Sequence, residues 1–291
     1  MQDINGIIVI NKPKEYTSHD VVAKVKKILN IKKVGHTGTL DPNATGVLPL
    51  LLNTGTKLSK YLIEHDKEYE VMLELGIKTD TADIEGNVIK KEEVNWEKLN
   101  DIEETLNTFL GEQTQIPPIY SAIKVNGKKL YEYARSGQNI NIESRNIQIY
   151  EIELQKIDKQ KNEINFRVHC SKGTYIRSLC EDIAQRLGTI GYMKELKRTK
   201  VGNFTISEAV KIEEIENNKE QIIKEKLISI EKFFESKESI KLNKKQLDKF
   251  LNGVKIRIDK QENICRIYNE NNEFIGIGTI EKNFLKRDII L

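Results

Sequence analysis

The sequence is poor in the residues that build disulfide frameworks, metal sites and membrane spans. It has three cysteines without a CxxC pair, and four histidines of which none forms an HExxH or HxH arrangement. An odd cysteine count argues against a disulfide framework. The lack of a CxxC pair and of a paired-histidine motif gives no support for a zinc site. Its apolar runs are all short of the roughly 20 residues that a membrane helix needs. We therefore expect reduced cysteines in a core, no metal and no membrane span.

Nucleotide-binding and secretory signatures are missing as well. The glycines between residues 35 and 46 are not followed by the GK[ST] of a phosphate-binding loop. The opening stretch "MQDINGIIVINKP" carries an acid where a secretory signal carries positive charge, and its apolar run is short. We expect a cytoplasmic protein that uses no cofactor.

The charge is nearly balanced in total but unevenly distributed. The 291 residues carry a net charge of +3, which by itself does not indicate a nucleic-acid partner. Residues 1–60 hold nine lysines against four acids, residues 117–141 hold four cations against one acid among three tyrosines, and residues 92–112 hold seven acids against one lysine. Such segregation would give the protein one basic face for a polyanion. The alternative is that the lysine runs are solvated helix faces.

Hydrophobic periodicity predicts an α+β fold. Alternation predicts strands in "GIIVINKP", "KEYEVMLELGIKT", "RNIQIYEIELQKID" and "NEINFRVHC". Helical spacing predicts "SHDVVAKVKKILN" with Ser18 as N-cap, "WEKLNDIEETLNTFLG" stopped by Gly111, and "TYIRSLCEDIAQRLG" with Gly188 as C-cap. Asn126-Gly127 predicts a hairpin turn. Strands and helices without a strict βαβ rhythm favour a mostly antiparallel, mixed sheet flanked by helices.

The chain divides into three predicted parts. Residues 1–210 contain the main sheet and its helices. Residues 211–240 are charged and helix-prone without a clear core face, which is typical of a connector. Residues 241–291 contain a short helix followed by "KIRID", "ICRIYN" and "FIGIGTI", which predict a small β-rich domain.

One acid stands out in "GHTGTLDPNATGVLPLLL", residues 35 to 52. Asp41 lies between a glycine-rich segment and a run typical of a buried strand. Gly35 and Gly38 allow backbone conformations closed to other residues, and Pro42 favours an extended Asp41. The carboxylate would then be held at a fixed, tight turn. The alternative is a plain Asx-type turn, in which Asp-Pro only begins a loop.

This stretch closely resembles the catalytic motif of the TruB family of tRNA pseudouridine synthases. Further motifs of that family occur in order along the chain, one before this stretch and four after it: "NKPKEYTSHDVV", "KEYEVMLELGIKTDTAD", "QIPPIYSAIKVNGKKLYEYAR", "CSKGTYIRSLCEDIAQRLG" and "YMKELKRTKVGNF". The third resembles the family's thumb insertion, at about 117–141. The resemblance covers residues 6 to about 210 and implies a pseudouridine-synthase catalytic domain. By position, the tail resembles the family's small PUA-type RNA-binding domain.

The resemblance implies three catalytic residues. Asp41 would be the essential ionised group, acting as nucleophile or base, and Arg177 would hold it charged through a bidentate pair. Tyr69 would stack on the target base, with its hydroxyl a candidate for proton transfer. On pattern alone Arg177 could instead pair with Glu181 one helical turn away, and Tyr69 could be an ordinary core residue of its strand.

Five further residues are implied as substrate-binding. His36 would enter the RNA where the flipped base had been, and Lys12 would contact the RNA backbone. Lys67 would support the site, while Tyr175 and Leu196 would form pocket walls.

The implied activity is isomerisation of uridine 55 in the T-loop of tRNA to pseudouridine. The implied partner is tRNA, through its T-stem-loop and acceptor region, bound by a monomer without metal or membrane. Two alternatives stay open. One is the catalytic subunit of a guide-RNA-dependent pseudouridylation complex, whose members lack the thumb insertion. The other is an RNA chaperone that folds tRNA, a role that family members can combine with catalysis.

Overall fold

A mixed sheet is the centre of the computed structural model, which describes residues 4–138 and 140–291. The strands are β1 (Gly6–Lys12), β2 (Val34–His36), β3 (Thr45–Leu52), β4 (Lys67–Leu75), β5 (Ile77–Thr79), β6 (Val88–Lys91), β7 (Gly111–Gln115), β8 (Lys124–Val125), β9 (Lys128–Lys129), β10 (Arg145–Asp158), β11 (Glu163–Cys170), β12 (Gly191–Val201), β13 (Phe204–Thr205), β14 (Ser239–Lys241), β15 (Ile256–Arg257), β16 (Asn263–Tyr268), β17 (Phe274–Glu281) and β18 (Phe284–Ile290). The helices are α1 (Ser18–Leu29), α2 (Ser59–Leu62), α3 (Ile102–Asn107), α4 (Leu130–Arg135), α5 (Ile176–Leu187), α6 (Ile212–Asn217), α7 (Lys219–Lys226), α8 (Ile230–Phe233) and α9 (Lys244–Leu251), with a 3₁₀ helix at Asn53–Leu58. In this part of the chain, no helix is long and apolar enough to cross a membrane.

The larger sheet has nine strands within the described ranges. Their order is β1-β3-β12-β4-β11-β10-β7, with β2 beside β3 and β13 beside β12. Within the described residues, neighbouring strands of this sheet run antiparallel, apart from β3 and β12. These two strands run parallel and place Arg198 opposite Gly46. The predicted α+β class with a mostly antiparallel mixed sheet is therefore confirmed. The parallel pair brings β12 next to the start of β3, a few residues after Asp41.

Helix α5 packs on one face of this sheet. Leu179, Ile183 and Leu187 are buried and join one apolar cluster with Leu73 and Phe166 of the strands. Burying an aliphatic side chain of this size contributes roughly 1.5–3 kcal/mol. The helix ends at Gly188, whose φ of 93° is left-handed, as predicted. The three cysteines are buried free thiols, which confirms that expectation too.

Helix α1 begins with a different cap from the one predicted. Thr17, not Ser18, is the N-cap: its hydroxyl accepts from the N–H of Asp20, and the Asp20 carboxylate accepts from the N–H of Thr17. An acid three residues after a threonine completes this capping box, which explains the choice. The hydroxyl of Ser18 is left for another use, because it bonds both backbone groups of Leu40.

The predicted helix ending at Gly111 is wrong in extent. Helix α3 spans only Ile102–Asn107 and is capped by the Asp101 side chain, which accepts from the N–H of Glu104. Because the Asp101 side chain caps the helix at that point, the residues before it lie outside the helix and form turns. Gly111 has a φ of 89° and begins strand β7 instead of stopping the helix.

The predicted hairpin at residues 126 and 127 is confirmed. Asn126 and Gly127 have φ of 51° and 83° and join β8 to β9, as a type I′ turn requires. Helix α4 follows directly. Asn139, inside the predicted thumb segment, and residues 1–3, in the predicted non-secretory start, lie outside the described residues.

A five-stranded sheet, ordered β14-β16-β17-β18-β15, contains the C-terminal strands. It has an apolar cluster of its own with helix α9. Ile277 and Ile289, however, are buried in a cluster that includes Ile7 and Val9 of strand β1. The Asp288 carboxylate also accepts hydrogen bonds from side chains near α2. The tail is thus packed against the main sheet.

The expectation that residues 211–240 lack a core face is wrong. Ile212 and Ile215 of α6 are buried against β1 and α1, and Ile230 and Phe234 join the cluster shared with the tail. The short helices here each supply one or two apolar residues, too few for a visible period. The two predicted boundaries, after residues 210 and 240, stay predictions.

Candidate active site

The loop that carries Asp41 is anchored on both sides of that residue. Downstream, the N–H of Ala44 donates to the Asp41 carbonyl at 3.1 Å, so the backbone does turn after Asp41. Upstream, the Ser18 hydroxyl accepts from the Leu40 N–H at 2.9 Å and donates to the Leu40 carbonyl at 3.2 Å. The start of α1 therefore fixes the residue that precedes Asp41.

The glycine that this loop needs is a different one from those predicted. Gly35 and Gly38 do not have left-handed φ values, whereas Gly46 has a φ of 104°. A Cβ on Gly46 would lie 2.1 Å from the carbonyl oxygen of Arg198 on the neighbouring strand. Close approach of β3 and β12 therefore requires glycine at position 46.

Asp41 forms an ion pair with Arg177 at the start of α5. The Arg177 Nε lies 3.2 Å from Asp41 Oδ2, and its Nη1 lies 3.3 Å from Oδ2 of Asp83. Its Nη2 donates to the Tyr120 carbonyl at 3.0 Å. The Arg177 side chain is 9% exposed while that of Asp41 is 37% exposed. One buried guanidinium thus holds a more accessible carboxylate at its outer edge.

Two sequence expectations for Arg177 are corrected by this arrangement. The pair with Asp41 is not bidentate, because the guanidinium divides its nitrogens between Asp41 and Asp83. Nor is Glu181 its partner: that carboxylate lies 3.3 Å from the Lys78 ammonium. Sequence could not foresee Asp83, since it comes from a distant loop.

The charge of Asp41 depends on its two cationic neighbours. Partial burial raises the pKa of Asp41 above its ordinary value, and the nearby Asp83 carboxylate raises it further. The positive charges of Arg177 and Lys12 oppose this rise. Removing either cation would therefore favour the protonated, unreactive form.

Lys12 is buried beneath the same loop. Its ammonium donates to the carbonyls of Pro13 and Pro42 at 2.9 and 2.8 Å, and to that of Tyr16. Burial is the main reason that the pKa of Lys12 falls to about 8, with the Asp41 charge opposing the fall. The predicted RNA contact of Lys12 stays a prediction, and here its donors are committed to carbonyls.

Tyr69 lies on β4 and is 7% exposed. Arg198, opposite it on β12, is 2% exposed, and its positive charge acts on the Tyr69 hydroxyl. Burial raises the pKa of Tyr69 to about 12, and the positive charge of Arg198 opposes the rise. Tyr69 is therefore both a core residue of its strand and part of a polar pair.

His36 lies on β2 with its ring 5.4 Å from that of His19, at an interplanar angle of 85°. Burial lowers the pKa of His36, and the positive charges of His19 and Arg198 lower it further. His36 is thus poised to be neutral.

The remaining predicted residues have separate positions. Tyr175 precedes α5, where its N–H donates to the Gln115 side chain at 2.8 Å. Lys67 begins β4, bonds the His65 carbonyl, and has a pKa lowered chiefly by burial. Leu196 is buried on β12. It lines the cavity beside Asp41, and the roles of Leu196, Tyr175 and Lys67 in binding stay predictions.

A small cavity opens beside Asp41. Asn43, Asp83, Glu85 and Leu196 line it together with Asp41, and its volume is ≈ 10 Å³. That is about the space of one water molecule. A hydrogen bond of 2.8 Å from the Asn43 amide to Glu85 crosses its rim. The cavity is therefore far smaller than a six-membered ring, although the Asp41 side chain itself is 37% exposed.

Sequence reasoning missed two residues of this site, Asp83 and Arg198. Asp83 organises its own loop, because its Oδ1 accepts from the Thr81 hydroxyl at 2.6 Å and from the Glu85 N–H at 3.0 Å. The only signal was its place in the motif "KTDTAD". Arg198 gave no signal, since it stands among the charged residues of "KELKRTK".

Comparison with known proteins agrees with this architecture. The chain matches the family model described as "TruB family pseudouridylate synthase (N terminal domain)" over residues 26–176, and two models of the C-terminal part over residues 177–254 and 239–286. It is 45% identical to the tRNA pseudouridine synthase B of Clostridium tetani, covering 97% of this chain and 98% of that relative. For its namesake in Caldanaerobacter subterraneus the identity is 42%, covering 96% of each.

The fold recurs in a solved structure of a Cbf5-Nop10-Gar1 complex. The TM-score is 0.69 at 26% identity, over 100% of this chain and 84% of that one. The sheet, the helix that carries Arg177 and the matching models define a pseudouridylate synthase. More narrowly, the chain belongs to the TruB family.

Proposed function

We propose that this protein converts uridine 55 in the T-loop of tRNA to pseudouridine, with Asp41 as the essential group. One observation carries the proposal: Arg177, buried and shared with Asp83, presents the more exposed Asp41 carboxylate to a cavity. The choice of tRNA is supported by the relatives, which are named tRNA pseudouridine synthase B and match this chain over nearly their whole length. Position 55 rests on the resemblance of the motifs.

The chemistry fits a site built around one carboxylate. In the reaction, the bond from C1′ of the ribose to N1 of uracil breaks, the base turns, and a bond from C1′ to C5 forms. The C5 hydrogen leaves as a proton, and N1 gains a proton. No atom is added or removed overall, so the reaction needs no redox cofactor, metal or nucleoside triphosphate. Asp41 acts as nucleophile or as base, and both roles need its ionised form.

Arg177 and Lys12 supply that ionised form. Their positive charges offset the burial and the Asp83 charge that raise the pKa of Asp41. The Arg177 guanidinium also fixes the direction of Asp41 Oδ2. Charge and orientation are thus set before the substrate arrives, which lowers the reorganisation needed in the reaction.

The base must leave the RNA stack to reach Asp41. Extruding a nucleotide costs a few kcal/mol, which stacking and pocket contacts offset. In this proposal Tyr69 stacks on the uracil, Leu196 and Tyr175 form walls, and His36 fills the space left in the RNA.

Cations and aromatic rings of the thumb segment form a surface for RNA. The Lys129 ammonium and the Arg135 guanidinium lie 5.3 and 5.4 Å from the centre of the Tyr131 ring. Such groups bind phosphates and stack on bases. We assign the T-stem-loop to this surface and to the region around Asp41. We assign the acceptor region to the PUA-like tail. We further propose a monomer in the cytoplasm, where its three thiols stay reduced.

The stand-alone enzyme is favoured over a guide-RNA-dependent subunit. Likeness to the Cbf5 chain would allow the second role. The thumb hairpin β8–β9 and helix α4 are present here, and the guide-dependent relatives are expected to lack this insertion. Helping tRNA to fold would use the same RNA surface and is compatible with catalysis.

Release of tritium tests the proposal directly. A T-stem-loop RNA carrying tritium at C5 of its uracils is mixed with the purified full chain and no other component. Forming the bond to C5 expels one tritium per turnover, at the uridine corresponding to position 55. A folded protein that binds the RNA but releases no tritium would refute the proposal, and release only after adding a guide RNA would favour the alternative.

A further inference from the structure

Arg198 is a buried cation whose partners are all neutral. Its Nε donates to the Val47 carbonyl at 2.8 Å, and its Nη2 donates to the Gly38 carbonyl at 3.1 Å. The Tyr69 side chain lies opposite it in the register of β4 and β12, where the Arg198 charge and the Tyr69 hydroxyl attract each other. In residues 4–138 and 140–291, Arg198 takes part in no ion pair.

Such a residue is costly for the fold. A guanidinium does not lose its proton in proteins, so Arg198 stays charged despite its burial. An unpaired buried charge is destabilising, and an apolar side chain of similar volume usually serves stability as well or better. The position therefore points to a role beyond packing.

The three partners of Arg198 belong to the two elements that carry the candidate chemistry. Gly38 and Val47 bracket the loop that holds Asp41, one on each side. Tyr69 lies opposite Arg198 in the register of β4 and β12. The same residue pairs with Gly46 across the parallel junction of β3 and β12. One guanidinium thus connects the Asp41 loop to the Tyr69 hydroxyl.

We propose that Arg198 is a positioning residue, which holds the Asp41 loop and the Tyr69 hydroxyl in one arrangement for the reaction. The inference rests on the proposed function. The planar guanidinium directs donors along fixed lines to two carbonyls and keeps a positive charge beside the Tyr69 hydroxyl, and a lysine ammonium on its flexible stem does not reproduce that arrangement. Because Arg198 is 2% exposed, it acts on the chemical step and not on RNA binding.

Substitution by lysine tests the geometry. In Arg198→Lys we expect the single-turnover rate to fall by about tenfold or more, while the dissociation constant of the RNA stays within about twofold. The matched control is Arg167→Lys on the exposed face of the sheet, expected within about twofold in both quantities. A wild-type rate in Arg198→Lys, or an equal loss of binding, would overturn the proposal.

Substitution by methionine separates positioning from folding. Arg198→Met removes the buried charge and fills the same space, so its melting temperature should be maintained. Its rate should nevertheless fall at least as far as that of Arg198→Lys. A stable Arg198→Met protein with normal turnover would show that the guanidinium only fills the core.

A double-mutant comparison with Tyr69 gives a result that differs between a positioning role and a purely structural one. In a Tyr69→Phe background, Arg198→Lys should lower the single-turnover rate by a clearly smaller factor than in the wild type. The reason is that Tyr69→Phe has already removed the hydroxyl through which part of the effect acts. Full additivity would refute the connection to Tyr69.

Failure of this inference is distinguishable from failure of the proposed function. A wild-type protein without tritium release refutes the function alone. Independently of activity, the Tyr69 resonance of ¹³C-tyrosine-labelled protein, assigned by its loss in Tyr69→Phe, should shift in Arg198→Lys without RNA. An unshifted resonance would refute the positioning role.

Discussion

Arg177 and Arg167 each meet several carboxylates, in very different surroundings. The Arg167 side chain is 29% exposed on the open face of β11, and oxygens of Glu68, Glu151 and Glu153 lie 2.9, 3.0 and 3.0 Å from its guanidinium. The Arg177 side chain is 9% exposed, and its two carboxylates lie farther away, at 3.2 and 3.3 Å. Judged by the number and length of its ion pairs, Arg167 would be the more strongly held residue.

The difference shows that distance alone is a poor guide to a functional ion pair. Exposed pairs are worth roughly 0–1 kcal/mol, because water screens them and side-chain entropy opposes them. In a buried group each charge depends on its partner, and removing one leaves the other uncompensated. The pKa of Asp41 is raised by burial and opposed by Arg177, a dependence that only the buried group creates.

The largest expected effect on turnover is at Asp41. Asp41→Asn keeps the shape but removes the reactive carboxylate, so turnover should vanish. RNA binding should stay within about tenfold, since the loss corresponds to roughly 1.4 kcal/mol or less. Tritium release and filter binding measure the two quantities.

Glu153→Gln is the matched control for Asp41→Asn, because it neutralises one exposed carboxylate beside Arg167. It should leave both quantities near the wild-type values. Measurable turnover by Asp41→Asn would move the catalytic role to another residue.

Arg177→Lys should have the next largest effect. The ammonium keeps the charge but cannot reach Asp41, Asp83 and the Tyr120 carbonyl together. We expect kcat to fall by about tenfold or more with little change in RNA affinity. A rate near that of the wild type would give Arg177 a purely structural role.

Cations of the tail should affect affinity and leave the chemical step unchanged. Lys244, Lys245, Lys255 and Arg257 are exposed and distant in sequence from Asp41. Changing all four to glutamine should weaken binding of full-length tRNA by about tenfold. It should also reduce the salt slope by roughly 0.7–0.9 for each phosphate that is no longer neutralised. At saturating substrate, kcat should change by less than about threefold.

A minimal T-stem-loop is the control substrate for these four substitutions, because it does not extend to the tail. Equal losses on both RNAs would contradict the affinity role. Deleting the tail after Ile240 is a poorer test. It removes Ile277 and Ile289 from the core that they share with Ile7, so the remaining protein should melt at a lower temperature.

Lys12 predicts a moderate dependence of rate on pH. Its pKa of about 8 means that the ammonium is charged below that pH and neutral above it. Loss of the proton weakens its bonds to three carbonyls, including that of Pro42 beside Asp41. The single-turnover rate should fall by about threefold as pH rises through this value. A flat profile to pH about 9.5, with folded protein and bound RNA, would contradict the prediction.

Arg167→Gln should have the smallest effect and tests the exposed arginine of the two. It removes three short ion pairs from an exposed face, so stability should change by roughly 1 kcal/mol or less. Turnover should stay within about twofold. A loss comparable to that of Arg177→Lys would mean that burial does not separate the two groups.

The sequence was sufficient for the parts of the molecule that local pattern determines. Alternation along β4 and β11, the apolar stripe and Gly188 of α5, and the turn at Asn126 each depend on a few neighbouring residues. The same holds for Asp41 and Arg177, which stand in long motifs. Their proximity, at 3.2 Å, agrees with the predicted partnership, while their roles stay predictions.

What the sequence could not reveal depends on distant residues. Asp83 shares Arg177 because a separate loop folds over the start of α5, and Arg198 is buried only because β12 lies between β3 and β4. Likewise, the choice of Thr17 over Ser18 as cap became clear once Ser18 was seen to bond Leu40. Each case requires the tertiary neighbour to be known first.

The packing of the tail has a consequence for how the protein is made. Ile7 and Val9 leave the ribosome well before Ile277 and Ile289, with which they share a buried cluster. That cluster cannot close until the roughly 280 residues from Ile7 to Ile289 have been synthesised. At about 5–20 residues per second, the apolar side of β1 stays uncovered for at least roughly 15 seconds. During that interval a nascent chain exposes a surface that a chaperone can bind, and completion of the last strand ends the exposure.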